Sequence, residues 1–252
     1  EIGIWNSLTL LSMRNNSLTG TVPTELGWCS SLRTLAISQN FLYGKLPTEL
    51  GQLSALEWLR VANNGFVGTL AYVYNTSGFQ SYDVSTNNFT GTMPIWLSEM
   101  TSLYHLSVSN NFLTGLLPTE LSLMKGLQVL YVHNNALIGT LPTELGLLTG
   151  LQELSVYNNS LIGTLPTELG RLTSLQYAFV SGNGFTGTFP LELADLNELI
   201  GLDVSLNDLT GTLPTELSQL SNLTRFAFQH NNFIGSVNDI LCSDTNMTWE
   251  AL

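Results

Sequence analysis

Apolar residues recur along the chain in a fixed phase, and an Asn closes each occurrence. The segments follow the pattern Leu-x-x-Leu-x-(Leu/Ile/Val)-x-x-Asn, and their Asn residues are spaced 24 positions apart, with one step of 23. These Asn residues are Asn16, Asn40, Asn64, Asn87, Asn111, Asn135, Asn159, Asn183, Asn207 and Asn231. The alternation before each Asn predicts a short strand with its apolar side chains on one face. One such strand cannot bury that face alone, so the unit must stack on copies of itself.

The second half of each repeat is equally regular. Leu or Phe follows each of these Asn residues after two positions, and Gly follows after four. The segment Gly-Thr-Leu-Pro-Thr-Glu-Leu-Gly at Gly139–Gly146 recurs unchanged at Gly163–Gly170. We expect the recurring Gly to occupy a turn with positive φ. We expect the Asn residues to form a structural ladder whose amides bond neighbouring backbones, and we call them the Asn ladder.

These motifs resemble the plant-specific type of leucine-rich repeat, Leu-x-x-Leu-x-Leu-x-x-Asn-x-Leu-x-Gly-x-(Ile/Leu)-Pro, over nearly the whole chain. The Gly-Thr-Leu-Pro-Thr-Glu-Leu-Gly variant is most similar to extracellular leucine-rich-repeat proteins of diatoms and related algae. The resemblance implies a right-handed superhelical solenoid of the α/β repeat class, with a parallel β-sheet on its concave face and short turns or 3-10 segments on its convex face. We expect about ten repeats of 23–24 residues over 1–235, irregular at 69–83, and a C-terminal cap over 236–252.

Charge and composition narrow the classes of partner. Of the 252 residues only 10% are charged, and Asp and Glu outnumber Lys and Arg 19 to 7, for a net charge of −12. This balance argues against nucleic acid and against an anionic membrane surface. No run of 18 apolar residues occurs, so no transmembrane segment is predicted in this chain. Cys29 and Cys242 lie roughly 40 Å apart by strand count and cannot bond each other. We interpret Cys29 as a buried thiol and leave the partner of Cys242 open.

The predicted concave face carries the candidate binding site. The positions two, four and six before each ladder Asn point outward, and most of them hold small residues. The large ones are Trp58, Arg60, His105, Tyr131, His133, Tyr157, Tyr177 and Phe179. Aromatic side chains with polar tips are enriched at recognition hot spots, which predicts binding of a peptide, a protein or a glycan. Cross-strand packing of exposed aromatics is the competing interpretation. We also expect ion pairs between Arg60 and Asp83 and between Asp203 and Arg225.

The sequence offers little support for catalysis or metal binding. A loose grouping of His105 or His133 with Asp83 and Ser107 lacks a nucleophile elbow, an oxyanion-hole motif and a paired-carboxylate cleft. Two histidines without a third ligand do not predict a metal site. We therefore expect a protein that is not an enzyme and that uses no metal or cofactor.

A column of threonines suggests a different function. Thr140, Thr164, Thr188 and Thr212 each follow the recurring Gly. Regular outward threonines resemble the ice-binding faces of some antifreeze proteins. The alternative hypothesis is an ice-binding or structural cell-surface protein acting through this Thr-rich convex or lateral face.

Asn-x-Ser/Thr sequons indicate an extracellular protein. They start at Asn15, Asn75, Asn88, Asn158, Asn222 and Asn246, with Asn75 the best glycan acceptor. We predict a monomeric recognition or adhesion module, secreted or at the cell surface, either a receptor-like ectodomain within a longer membrane-anchored protein or a secreted leucine-rich-repeat protein.

Overall fold

The computed structural model describes residues 5–72 and 78–236. Asn75, Asn246, Cys242 and nearly all of the predicted cap lie outside these ranges. The described chain is a repeat solenoid of two parallel sheets with ten strands each, and every strand pairs with the equivalent strand of the next repeat. We number the repeats one to ten by their ladder Asn.

The first sheet is the predicted concave one. Its strands are Leu10–Ser12, Thr34–Ala36, Trp58–Arg60, Ser81–Asp83, His105–Ser107, Val129–Tyr131, Glu153–Ser155, Tyr177–Phe179, Gly201–Asp203 and Arg225–Ala227. The middle residue of most strands is buried, as Leu59 and Leu106 are, because alternate side chains point to opposite faces. The residues on either side of it therefore form the outward face.

The second sheet was not predicted. Its strands are Thr19–Gly20, Phe41–Lys45, Gly65–Gly68, Asn88–Thr92, Phe112–Gly115, Ala136–Gly139, Ser160–Thr164, Gly184–Thr188, Asp208–Gly211 and Asn232–Phe233. Each contains or ends next to the recurring Gly, whose φ lies between +79° and +108° in all ten repeats. Positive φ at this position is what the recurring Gly predicted. The Leu or Phe two residues after each ladder Asn turns inward from this sheet.

Short 3-10 helices complete the convex side. They are Thr24–Trp28, Thr48–Gln52, Ile95–Glu99, Thr119–Leu123, Thr143–Leu147, Thr167–Arg171, Leu191–Asp195 and Thr215–Gln219. A proline in extended conformation precedes each one, which fixes φ at the helix entry. The described residues contain no α-helix, and none of their helices is long and apolar enough to cross a membrane.

The Asn ladder runs between the two sheets. The Nδ2 of Asn111 donates to the carbonyls of Val84, Val108 and Ser109, each at 3.1 Å. Its Oδ1 accepts the backbone N–H of Phe89 at 2.9 Å. A buried amide with all these partners stabilises two neighbouring repeats at once.

The core is one continuous cluster along the solenoid. Leu and Val dominate it, and Cys29 is fully buried within it. The chain departs from the pattern between repeats three and four, where the ladder Asn residues are 23 rather than 24 positions apart and Ala71 takes the place of the recurring proline. Tyr82 replaces the usual Leu at the strand centre there and is fully buried.

Candidate functional site

The outward face of the first sheet brings most of the predicted aromatic residues into contact. The ring centroids of His105 and Tyr131 lie 6.1 Å apart, and those of Tyr131 and His133 lie 5.7 Å apart. His133 stacks on Tyr157 at 4.3 Å with an interplanar angle of 11°. These four residues, which we call the ring run, cross three consecutive strands.

Tyr177 and Phe179 form a separate pair, with centroids 6.0 Å apart. They lean over the neighbouring strand at Gly201, where an added Cβ would lie 2.9 Å from Cδ1 of Tyr177. Gly201 therefore makes room for both rings. From the sequence, Gly201 is one of the small residues on the outward face, and nothing in the repeat pattern shows which neighbouring side chain covers it.

Small outward residues are covered by the rings. Ser107 and Ser155 are only 3% and 2% exposed, although they stand on the outward face. The Oγ of Ser155 lies 2.9 Å from Nδ1 of His133, and the Oγ of Ser81 lies 3.5 Å from Nδ1 of His105. The serines thus fix the tilt of the imidazole rings rather than forming a polar surface of their own.

Burial governs the ionisation of this face. It lowers the pKa of His133 to about 4 and also lowers the pKa of His105, so both are neutral near pH 7. Burial, followed by a hydrogen bond that its hydroxyl donates to Glu153, raises the pKa of Tyr131. The ring run is therefore uncharged, and Glu153 is held against its edge.

The two predicted ion pairs do not form. Arg60 and Asp83 are register neighbours, but one carboxylate oxygen of Asp83 accepts from both the backbone N–H and the hydroxyl of Ser85. Asp203 is bonded in the same way to Ser205, and its register neighbour is Ala227 rather than Arg225. Within the described ranges, the ion pair present is Arg33–Glu57.

Trp58 and Arg60 lie two strands toward the N-terminus from His105. Arg60 borders a shallow concavity of about 260 Å³ that Arg14, Asp83, Tyr104 and His105 of the ring run also line. This places two guanidinium groups at the amino-terminal end of the same face.

An outer row of asparagines borders the ring run. Asn134 accepts from Asn158 at 2.9 Å, and its Nδ2 donates to Asn110 at 2.8 Å and to the hydroxyl of Tyr157 at 3.4 Å. All three asparagines have φ between 51° and 54°, a conformation that Asn tolerates better than most residues. In the sequence, this outer row is recognisable as a second Asn directly before the ladder Asn.

The arrangement of the histidines does not support catalysis. His133 meets Ser155, but Glu153 accepts from Tyr131 rather than from His133, so these side chains do not form a Ser/His/acid relay. Among the described residues, no three His, Cys, Asp or Glu side chains come together as a metal site would need.

The threonine column lies on the outward face of the second sheet. Thr140, Thr164, Thr188 and Thr212 are exposed. Each Cγ2 methyl packs beneath the recurring Gly of the next repeat, as Thr140 does beneath Gly163. The sequons at Asn15, Asn88, Asn158 and Asn222 start at exposed residues.

Comparisons with known proteins agree with this geometry. A Leucine Rich Repeat family model matches residues 7–29, 102–124, 126–148 and 150–172. Curated protein sequences gave no match. Among solved structures, a TDR receptor is 34% identical with a TM-score of 0.89, over 92% of this chain and 40% of that one.

Two further structures differ in what they bind. The Arabidopsis receptor kinase HAESA, in complex with the peptide hormone IDA and the co-receptor SERK1, is 26% identical with a TM-score of 0.79, over 92% of this chain and 43% of that one. A plant ice-binding protein is 26% identical with a TM-score of 0.80, over 89% of this chain and 73% of that one. The chain thus spans about two fifths of the receptor structures that it matches.

Proposed function

Because the chain is a leucine-rich repeat protein, we propose that it is an extracellular, non-enzymatic recognition module that binds a peptide or a protein segment on its concave face. The observation that carries the proposal is the ring run of His105, Tyr131, His133 and Tyr157. The structural similarity to a receptor in complex with a peptide hormone supports the same class of ligand. An extracellular location and a peptide or protein ligand are typical of a receptor-like ectodomain or a secreted adhesion protein.

The dimensions of the face suit an extended segment. From Trp58 to Phe179 the candidate residues span six neighbouring strands, or roughly 24 Å at about 4.8 Å per strand. An extended peptide of about seven residues covers that length. The uncharged ring run then contacts apolar side chains of the ligand, while Arg60 and Arg14 lie at one end, where an acidic group would be favoured.

Removal of the rings tests this site. Peptides are first selected from a displayed heptapeptide library on the immobilised chain. The combined substitutions Tyr131→Ala, Tyr157→Ala and Phe179→Ala should weaken their binding by at least about 100-fold, because aromatic anchors dominate the affinity of such faces. Binding is measured by biolayer interferometry.

A matched triple variant controls for general effects on the fold. Trp28→Ala, Ile95→Ala and Leu191→Ala also remove three exposed apolar side chains, but from the 3-10 helices. This variant should bind the peptides like the unmodified chain. Equal binding by the concave variant would refute the proposed site.

Ice binding is a second candidate, favoured by the similarity to a plant ice-binding protein and by the exposed threonine column. If it holds, Thr164→Lys with Thr188→Lys should abolish inhibition of ice recrystallisation, because two lysines break the regular surface. The concave triple variant should keep the inhibition. Normal ice growth at high concentration of the unmodified chain would refute ice binding. Lys45 and Leu116 stand at the equivalent position in repeats two and five, so the unbroken threonine column covers only repeats six to nine, and concave recognition is the better supported function.

A further inference from the structure

We propose that the outward face of the second sheet pairs with the same face of a second copy of this chain, related by a two-fold axis. This surface, the second-sheet face, consists of the residues one, three and five positions after each ladder Asn. The proposal goes beyond concave recognition and is independent of it, because it uses the opposite sheet.

Large apolar side chains are exposed on the second-sheet face. They are Phe41, Tyr43, Val67, Phe112, Leu116, Ile138, Ile162 and Ile234, between 40% and 72% exposed. Those in repeats five to seven adjoin one another, whereas repeats one, four, eight and nine carry none at these positions. A contiguous exposed apolar patch, such as the one in repeats five to seven, indicates an interaction site.

The charge distribution points to a second copy as that partner. The chain has a net charge of −12, yet Lys45 and Asp208 are the charged residues at these positions of the ten strands. Elsewhere the 3-10 helices carry a recurring Glu in their first turn, as at Glu144 and Glu168. Two copies that meet through the helices bring these carboxylates together, whereas two second-sheet faces meet almost without like-charge repulsion.

The positions of these residues fit a two-fold axis. Phe112, Leu116, Ile138 and Ile162 lie in repeats five, six and seven, close to the midpoint of the ten strands. An antiparallel two-fold arrangement with its axis between repeats five and six sets Phe112 and Leu116 of each copy against Ile138 of the other, as an isologous contact requires. It also brings the end that carries Lys45, in repeat two, to the end that carries Asp208, in repeat nine. A parallel arrangement would bring like charges to the same end.

Four threonines on the second-sheet face are already bonded within the chain. The hydroxyls of Thr90, Thr114, Thr186 and Thr210 donate to the glycine carbonyls of the preceding repeat at 3.3–3.4 Å. Covering these threonines therefore does not leave their hydroxyl donors without an acceptor, which removes much of the usual cost of burying them.

The area is sufficient for a stable dimer. Ten strands at about 4.8 Å, each with about 13 Å of outward face, give roughly 600 Å² per copy. Two copies bury about 1,200 Å², the lower end of specific protein interfaces.

Sedimentation velocity over a wide concentration range tests the proposal on the full chain. The unmodified chain should form a dimer, and Ile138→Lys with Ile162→Lys should weaken dimerisation by at least about 100-fold, because four lysines then lie close together in the middle of the interface. The matched control is Leu123→Lys with Leu147→Lys. Those side chains, in adjacent repeats on the 3-10 helices, are 56% and 47% exposed, against 50% and 55% for the two isoleucines. The control should dimerise like the unmodified chain.

Three outcomes would overturn the proposal. The first is that the unmodified chain stays monomeric at all concentrations, whether or not the monomer inhibits ice growth. Another is dimerisation that the isoleucine variant leaves intact. The third is a glycan on Asn88 of the native protein, because Asn88 stands on the second-sheet face in repeat four. Circular dichroism of both lysine variants establishes that they fold.

Discussion

Replacement of Asn111 by alanine should lower the free energy of unfolding by about 3–5 kcal/mol. The side chain is 6% exposed and makes four hydrogen bonds to the backbones of two neighbouring repeats. Alanine leaves the N–H of Phe89 buried without an acceptor and removes a donor from three carbonyls. Each unsatisfied buried group costs about 1–3 kcal/mol, so the total exceeds that of an ordinary surface substitution.

The edge of the Asn ladder provides the control for this prediction. Asn16 has the same phase in repeat one, but it is exposed and donates only to Met13 and Arg14 within its own repeat. Asn16→Ala should therefore cost no more than about 1 kcal/mol. Urea unfolding followed by circular dichroism measures both values. Equal losses at Asn16 and Asn111 would contradict the idea that the ladder stabilises through contacts between repeats.

The fold could be predicted because one signal is copied ten times. The period of 24 residues fixes the number of repeats, and the strand pattern fixes which face is buried. The second sheet could not be predicted in the same way. Its strands carry a Gly with positive φ, which in a single sequence is typical of a turn rather than a strand. The segment becomes a strand only because it pairs with the same segment of the next repeat, and that partner is present only when the repeats stack.

The membership of the concave face could be predicted, but its internal contacts could not. Phase alone places Tyr131, His133 and Tyr157 on one surface. Which side chains then meet depends on competition between local and cross-strand partners. Asp83 shows this. The backbone N–H and the hydroxyl of Ser85, two residues away, bind its carboxylate with a smaller loss of side-chain entropy than the long Arg60 side chain would require. Local Asx-type bonding of this kind is available to any Asp that precedes a serine by two residues, and repeat periodicity does not report it.

Repeat four has replaced regular repeat contacts with an aromatic cluster. The Tyr82 ring lies 6.1 Å from Phe79 and 6.2 Å from Trp96, between centroids, and its hydroxyl donates to the carbonyl of Ala71 at 3.1 Å. Tyr72 packs on Trp96 at 5.1 Å from the outer side. Trp96 lies in the 3-10 helix Ile95–Glu99, so the cluster joins this helix to the strand centre of repeat four.

Tyr82→Leu should therefore destabilise the protein by about 2–4 kcal/mol, although it restores the residue that most repeats carry at the strand centre. Leucine leaves a cavity beside Phe79 and Trp96 and loses the bond to the carbonyl of Ala71. Tyr82→Phe separates the two effects: it keeps the ring and should cost only about 1 kcal/mol. Both values follow from thermal and urea unfolding. A leucine variant as stable as the native chain would contradict the idea that the ring contacts of Tyr82 and its bond to Ala71 stabilise this part of the solenoid.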